Sequence, residues 1–162
     1  SKMNIIKQSL TAISLLFLLS CGFSPILKNV TFENIKISNI KYSGPNNLVY
    51  YLRSNLNIPT SRGAIDAYEV RIKIKESASS TTKDTAGITT EEKVTINVSF
   101  DILDKNKEVI GMDNLSGSRN VSVTNNIITD SENKRIEKEN IITNLIQQLS
   151  FSIRAKIASS QQ

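Results

Sequence analysis

The chain has 162 residues, carries a net charge of +5, and contains no histidine and a single cysteine. Without histidine it cannot form Ser-His-Asp or Cys-His catalytic arrangements or the common zinc sites, and one cysteine allows no internal disulfide. We therefore predict a protein that is not an enzyme and that holds no metal or free cofactor. The mild basic excess suits an anionic surface or ligand but does not require one.

Residues 1–20 are predicted to be a secretory signal peptide. Lys7 precedes an apolar run from Leu10 to Leu19, which is too short to span a bilayer because a spanning helix needs ~20 apolar residues. Small Ser20 stands directly before Cys21, with a leucine three residues upstream of the cysteine. This arrangement resembles the bacterial lipobox, in which the thiol is diacylated, the leader is removed and the new amino terminus is acylated. The alternative is a buried amphipathic helix with a stray cysteine, but the run lacks helical periodicity.

The predicted domains follow from that cleavage site. Residues 21–29 are a lipidated tether, and residues 30–162 form a single α+β domain. Each buried methylene contributes ~0.8 kcal/mol, so two or more acyl chains on Cys21 give stable attachment to the membrane. Gly22 rather than aspartate follows the cysteine, which in enterobacterial lipoproteins implies transfer to the outer membrane. We expect the protein on the periplasmic side of that membrane, with covalent acyl and diacylglycerol lipid on Cys21.

The first part of the domain predicts a strand and then a helix. From Val30 to Tyr42 apolar residues recur every second position, with breaks after Phe32 and Ile37 that predict a bulge or bend. Ser43–Pro45 signals a helix start, and Pro59 ends the helix. The apolar residues of this helix recur four apart and are Leu48, Leu52 and Leu56.

Three strands are predicted next. Ala67–Lys75 alternates apolar residues with charged ones, so one face should be buried and the other basic and wet. The polar run Ser77–Thr85 predicts a flexible hairpin tip. Asp104–Lys107 predicts a turn, and Glu108–Thr124 predicts the last strand. The strand between the tip and the turn shows strict alternation at Val94, Ile96, Val98 and Phe100.

A long C-terminal helix closes the chain. Thr129 and Glu132 fit a capping box at its start, and Ser159–Gln162 should fray. The order β-α-β-β-β-α predicts a four-stranded mixed, mainly antiparallel sheet with two helices packed on one face. The apolar stripe of the helix is Ile142, Ile146, Leu149, Ile153 and Ile157, widened by Ile141 and Leu145.

Basic residues form the candidate binding surface. Arg71, Lys73 and Lys75 point the same way from one predicted strand, and Lys93 and Arg119 on neighbouring strands could extend the patch. Such a surface could hold the phosphates and carboxylates of an anionic lipid. The alternative is an ordinary solvated sheet face. Nucleic acid is not expected as a partner in this compartment and at this charge.

The residues that follow the leader resemble a known family. Cys21–Ile26, Cys-Gly-Phe-Ser-Pro-Ile, resembles the Cys-Gly-Phe-x-Pro-Leu opening of LptE-type lipopolysaccharide-assembly lipoproteins, with Ile26 in place of the usual leucine. The order of elements and the long C-terminal helix are also similar, although that helix lacks the alanine-rich start of many relatives. The resemblance implies a lipoprotein that plugs the outer-membrane barrel LptD, aids its assembly and assists delivery of lipopolysaccharide to the outer leaflet.

A second class of function fits the same features. The protein could be an accessory lipoprotein of a lipid-transport ABC system, or a general envelope scaffold without a barrel partner. Similar size, membrane anchor and α+β composition suit it. Co-purification distinguishes the two, since a large β-barrel favours the first function and inner-membrane transporter subunits favour the second.

Overall fold

The structure is a computed structural model that describes residues 35–161. The predicted signal peptide, Cys21 with its opening motif, the tether and the beginning of the first predicted strand lie outside the described residues. The elements of the described part are β1 (Ile37–Ser43), α1 (Asn46–Asn55), β2 (Tyr68–Lys83), β3 (Thr89–Leu103), β4 (Val109–Ser122) and α2 (Ile127–Ser160).

The four strands form one sheet in the order β1-β2-β3-β4. Strand β1 runs parallel to β2, while the β2–β3 and β3–β4 pairs are antiparallel. A parallel neighbour requires a crossover, which α1 supplies, and the antiparallel neighbours are joined by short turns. The predicted α+β fold with two helices on a mixed sheet is confirmed. Although α2 is 34 residues long, no helix in residues 35–161 is apolar enough to cross a membrane.

The core lies between the sheet and the helices. Every second side chain of β2 and β3 points toward the helices, because consecutive strand residues face opposite sides. These strands bring Val70 opposite Ile102, and Ile72 opposite Phe100, all of them buried. The predicted stripe of α2 meets them, with the buried members Ile141, Ile142, Leu145, Leu149, Ile153 and Ile157 and the partly buried Ile146.

The prediction of a flexible hairpin tip at Ser77–Thr85 is wrong. Strand β2 continues to Lys83 and stays paired with β3. Hydroxyl groups contribute across the pair, since the Thr81 Oγ1 donates to the Glu91 carboxylate at 3.0 Å. The true turn is short, and the Asp84 carboxylate closes it by accepting two backbone N–H groups at 2.9 Å.

The predicted capping box is also wrong. Asn126 caps α2 instead, and its side-chain oxygen accepts the N–H of Thr129 at 3.2 Å. Asparagine is among the strongest capping residues, so the helix begins directly after Asn126. Thr129 and Glu132 therefore lie inside the helix and do not form its cap. Asp130 turns back toward the preceding loop, where its carboxylate accepts the Thr124 N–H at 2.8 Å and the Thr124 hydroxyl at 2.7 Å. These hydrogen bonds lower the pKa of Asp130.

Other local predictions hold. The pairing of β1 with β2 shifts between Ile37 and Asn39, which confirms the irregularity expected after Ile37. The turn after β3 is closed by Asp104, whose carboxylate accepts the N–H groups of Asn106 and Glu108. The exception is the C-terminal end, where the prediction of fraying is wrong for Ser159 and Ser160 because α2 continues through Ser160.

Gly44 joins β1 to α1 at a close approach of two backbone segments. Its φ is +135°, and a Cβ atom there would lie 2.5 Å from the carbonyl oxygen of Ile74. Glycine is needed here for two reasons. Residues with a side chain rarely adopt this φ, and the Ile74 carbonyl belongs to a strand backbone that cannot shift to make room for a Cβ atom without losing strand pairing.

We predict that Gly44→Ala lowers the free energy of unfolding by more than about 2 kcal/mol, because backbone strain and a steric overlap add. Gly63→Ala is the matched control, because Gly63 also has a positive φ (+72°) but no atom within 4 Å of the added carbon. Gly63→Ala should lower the free energy of unfolding by about 1–2 kcal/mol. Denaturant unfolding compares the variants, and equal losses would show that the Ile74 contact is unimportant.

Candidate anion-binding face

The side of the sheet away from the helices, here called the open face, carries the candidate site. The odd-numbered residues of β2 point to it, because the even-numbered Val70 and Ile72 point into the core. Paired residues share a face, so the register adds residues from both neighbouring strands. The central part of the open face is therefore formed by Glu69, Arg71, Lys73 and Lys75 of β2, Lys41 and Ser43 of β1, and Asn97, Ser99 and Asp101 of β3.

The structure divides the predicted basic residues into three groups. Arg71, Lys73 and Lys75 lie together, exposed on the open face. Lys93 shares that face, but it pairs with Ser79, four residues along β2 from Lys75, which is roughly 13 Å at the rise of a strand. It is a separate outlying charge.

Arg119 does not join the open face, and the expectation that it extends the same patch is wrong. It pairs with Val94, a buried core residue, and therefore points to the helix side of the sheet. There its Nη1 lies 3.3 Å from the Glu137 carboxylate of α2. The cause is the strand register, which sequence spacing within β4 does not reveal.

Glu69 is the residue of the candidate site that the sequence pattern does not reveal. Its alternation with basic residues predicted an exposed side chain, yet it is only 2% exposed. Its carboxylate lies 2.8 Å from the Lys41 Nζ, 3.0 Å from the Lys107 Nζ and 3.8 Å from the Arg71 Nη2. The ammonium groups of Lys41 and then Lys107 lower the pKa of Glu69 to about 2, against the opposing effect of burial. Of the two, the Lys107 contact has the geometry of a hydrogen bond.

This cluster ties three segments of the chain together at one corner. Lys41 comes from β1, Glu69 and Arg71 from β2, and Lys107 from the turn before β4. One carboxylate cannot neutralise three cations, so the cluster keeps a positive excess. The three basic side chains are each at least half exposed and can therefore reach a further anion.

A shallow groove of about 330 Å³ opens beside the cluster. Arg71 presents a planar fork of donors suited to phosphate or carboxylate, and Lys73 adds a mobile point charge. The Ser99 hydroxyl can donate a further hydrogen bond, while Asp101 opposes part of the positive charge. The lining residues are Lys41, Tyr42, Ser43, Arg71, Ile72, Lys73, Ser99, Phe100 and Asp101.

The chemistry available in this groove is binding of an anion. Its polar groups are ammonium, guanidinium and hydroxyl groups with one exposed carboxylate. Within residues 35–161, no group of three or more acidic or cysteine side chains is placed to hold a metal ion. The geometry thus offers positive charge and hydrogen-bond donors around a shallow, solvent-open surface.

No protein-family model and no curated protein matches this sequence. Solved structures do match the fold. Rare lipoprotein B from Shewanella oneidensis superposes with a TM-score of 0.60 at 14% identity, covering 77% of this chain and all of that one. A minor lipoprotein from Acinetobacter baumannii gives 0.57 at 19% identity, covering 74% of this chain and 91% of that one.

A third structure, an uncharacterized lipoprotein B from Nitrosomonas europaea, gives a TM-score of 0.56 at 10% identity. It covers 78% of this chain and 88% of its own. At such low identities the likeness establishes the fold alone. The described domain therefore has the fold of these lipoprotein structures.

We predict that Glu69→Gln lowers the free energy of unfolding at pH 7 by about 1 kcal/mol, an order of magnitude allowing for solvent screening of the exposed lysines. Because the folded pKa of Glu69 lies below the usual value of 4.5, its contribution is present above pH 4.5 and is lost toward pH 2. The difference in free energy of unfolding between wild type and variant, measured by denaturant unfolding, should narrow as the pH falls from 4.5 to 2.

Asp101→Asn is the matched control, since it removes the same charge from an exposed side chain on the same face. This substitution should change the free energy of unfolding by no more than about 0.5 kcal/mol. A Glu69→Gln curve that stays parallel to wild type from pH 7 to pH 2 would contradict the assigned role of the cluster.

Proposed function

We propose that this protein is an outer-membrane lipoprotein, anchored through Cys21 on the periplasmic side, that plugs an LptD-like barrel and assists lipopolysaccharide transport to the outer leaflet. Two features of the chain, taken together, support the proposal. A lipobox followed by Cys-Gly-Phe-x-Pro at Cys21–Pro25 precedes a domain with the fold of rare lipoprotein B. Neither feature alone would be as specific.

The role proposed for the open face is to bind the anionic groups of lipopolysaccharide. Arg71 and Lys73 line the groove, Lys75 continues the basic row along β2, and Lys41 stands across from Arg71 on β1. Phosphates suit this arrangement because several donors converge from two strands. Lys93 is proposed as an outlying contact for a ligand long enough to follow the strand.

The first test is the identity of the partner. The lipidated protein, purified from membranes in mild detergent, is expected to bring down a large β-barrel in a fixed ratio. Recovery with inner-membrane transporter subunits would instead support an accessory role in an ABC system. Recovery of neither would leave the scaffold function and reject the barrel partnership.

The second test concerns the ligand. Replacing Arg71, Lys73 and Lys75 together with alanine should weaken lipopolysaccharide binding by about tenfold or more, since each charge-assisted hydrogen bond contributes about 1.5–3 kcal/mol where it is made. Binding by wild type should also weaken as salt is added. Titration of the purified protein with lipopolysaccharide measures both effects.

A control variant with the same loss of charge is available on α2. Lys134, Arg135 and Lys138 lie on the helix side of the sheet, where they pair with acidic residues. Their triple alanine variant should bind lipopolysaccharide like wild type. Equal weakening in both triple variants would mean that net charge alone is responsible and would remove the open face as the site.

A further inference from the structure

Strand β4 presents a long backbone edge. In residues 35–161 it is the last strand of the sheet, and no strand pairs with its outer side. The Val123 N–H donates to the Thr90 carbonyl on β3 at 2.9 Å, so odd-numbered residues of β4 direct their backbone groups inward. The even-numbered residues direct theirs outward, and these are Met112, Asn114, Ser116, Ser118 and Asn120.

Beyond a register shift near its start, between Val109 and Gly111, this edge has few of the devices by which proteins usually prevent strand addition. Such devices are short strands, lysine, proline, bulges and inward-pointing charges, and β1 on the opposite edge is both short and supplied with Lys41. Strand β4 is 14 residues long and contains neither lysine nor proline. Its charged residues, Asp113 and Arg119, point inward to the helix side, where they oppose a partner strand that does not bring the opposite charges. The edge is therefore competent to accept a strand that supplies a cation beside Asp113 and an anion beside Arg119.

The sequence of β4 is complementary to itself in one antiparallel register. When Ser116 faces Ser116 of a second copy, outward residues meet outward residues. Asp113 then faces Arg119 of the second copy on the same side of the sheet, forming a carboxylate–guanidinium pair twice. Leu115 faces Gly117 in the same register. On the helix side Leu115 thus meets a glycine, and each charge meets its opposite.

We propose that two copies of this domain pair edge to edge through β4, about a two-fold axis at Ser116. A two-fold interface uses the same surface on both copies, as this register requires. The Asn114 N–H, held in the single chain by the Asp113 carboxylate at 2.8 Å, exchanges that acceptor for a carbonyl of the second copy. The Asp113 Oδ1 is thereby free to accept from Arg119 of the second copy, while Oδ2 keeps its hydrogen bond from Ser152.

The line of contact between β4 and α2, here called the seam, supports the same arrangement. A groove of about 520 Å³ lies at one end, lined in part by Asp113, Phe151 and Ala155. A second groove of about 280 Å³ lies at the other end beside Ile136 and Glu137. Phe151 is 46% exposed and Ile136 is 41% exposed.

The two-fold axis exchanges the two ends of the seam. Asp113 contacts Ser152 of α2, and Arg119 contacts Glu137 of α2. When Asp113 of one copy faces Arg119 of the other, the part of α2 around Ser152 in the first copy lies beside the part around Glu137 in the second. Ile136 of one copy then lies alongside Phe151 of the other. Covering two half-exposed apolar side chains favours the pair. This inference concerns the domain itself and does not depend on a barrel partner.

Cysteine cross-linking tests the register. In the full chain carrying Cys21→Ser, kept in mild detergent, Ser116→Cys should form a disulfide-linked dimer under mild oxidation. Directly opposed residues of a hydrogen-bonded antiparallel pair have Cα atoms about 5.5 Å apart, which suits a disulfide. Ser118→Cys is the control, because its two copies would lie roughly 13 Å apart. The double variant Asn114→Cys/Ser118→Cys should cross-link again.

Sedimentation over a concentration series tests the association without a covalent bond. Wild type should pass from monomer to dimer, whereas Ser116→Pro should stay monomeric with an unchanged unfolding midpoint. Proline is tolerated where an edge N–H points outward, so this variant separates loss of pairing from loss of folding. A monomer at every concentration, or cross-linking of Ser118→Cys as fast as Ser116→Cys, would overturn the proposal.

Discussion

The pairing of β2 with β3 is the constraint on which the other features depend. From Glu69 to Lys83 the two strands stay in register apart from a shift near Thr82, and consecutive side chains point to opposite sides. Val70, Ile72 and Ile74 consequently share one side and build the core, while Arg71 and Lys73 share the other. A one-residue slip would place charges under the helices and apolar residues in water. The core and the open face are therefore two results of one register.

The buried acid on the open face follows from the same geometry. Glu69 alternates with the basic residues, so its carboxylate is directed to the side where the cations are. A buried carboxylate without partners would be neutralised or expelled, but Lys41 and Lys107 approach it from β1 and from the turn before β4. The charge cluster holds these segments against the end of β2 and sets the position of Arg71 at the groove. Local stability and the positive charge beside the groove thus arise from the same four side chains.

Sequence periodicity predicted the elements whose burial is regular. The α2 stripe from Ile141 to Ile157 and the alternation in β2 and β3 were readable because each has one dry side. The prediction for Ser77–Thr85 is wrong because most of this run is held as a strand by its pairing with β3, rather than by the propensity of serine and threonine.

The candidate site was only partly predictable for a related reason. Arg71, Lys73 and Lys75 lie on one strand, so alternation alone places them on one face. Arg119 lies on a strand in which glycines and polar residues obscure the alternation, and its side depends on the register with β3. Glu69 required knowledge of Lys41 and Lys107, which approach it only in the folded chain. Properties carried by one element were predictable, and those created between elements were not.

The two edges of the sheet show how the open face and the proposed self-pairing fit together. At the β1 edge, the strand is short, carries Lys41 and leads through Gly44 into α1. The groove proposed to bind an anion therefore lies beside an edge that resists further strands. At the β4 edge, the outward residues are uncharged and the strand is long. A second copy added there extends the sheet without covering β1 or the groove. Because antiparallel pairing about a two-fold axis keeps both helix layers on one side, the open faces of the two copies form one continuous surface. The two basic grooves then lie toward its opposite ends, where each stays accessible to its own anion.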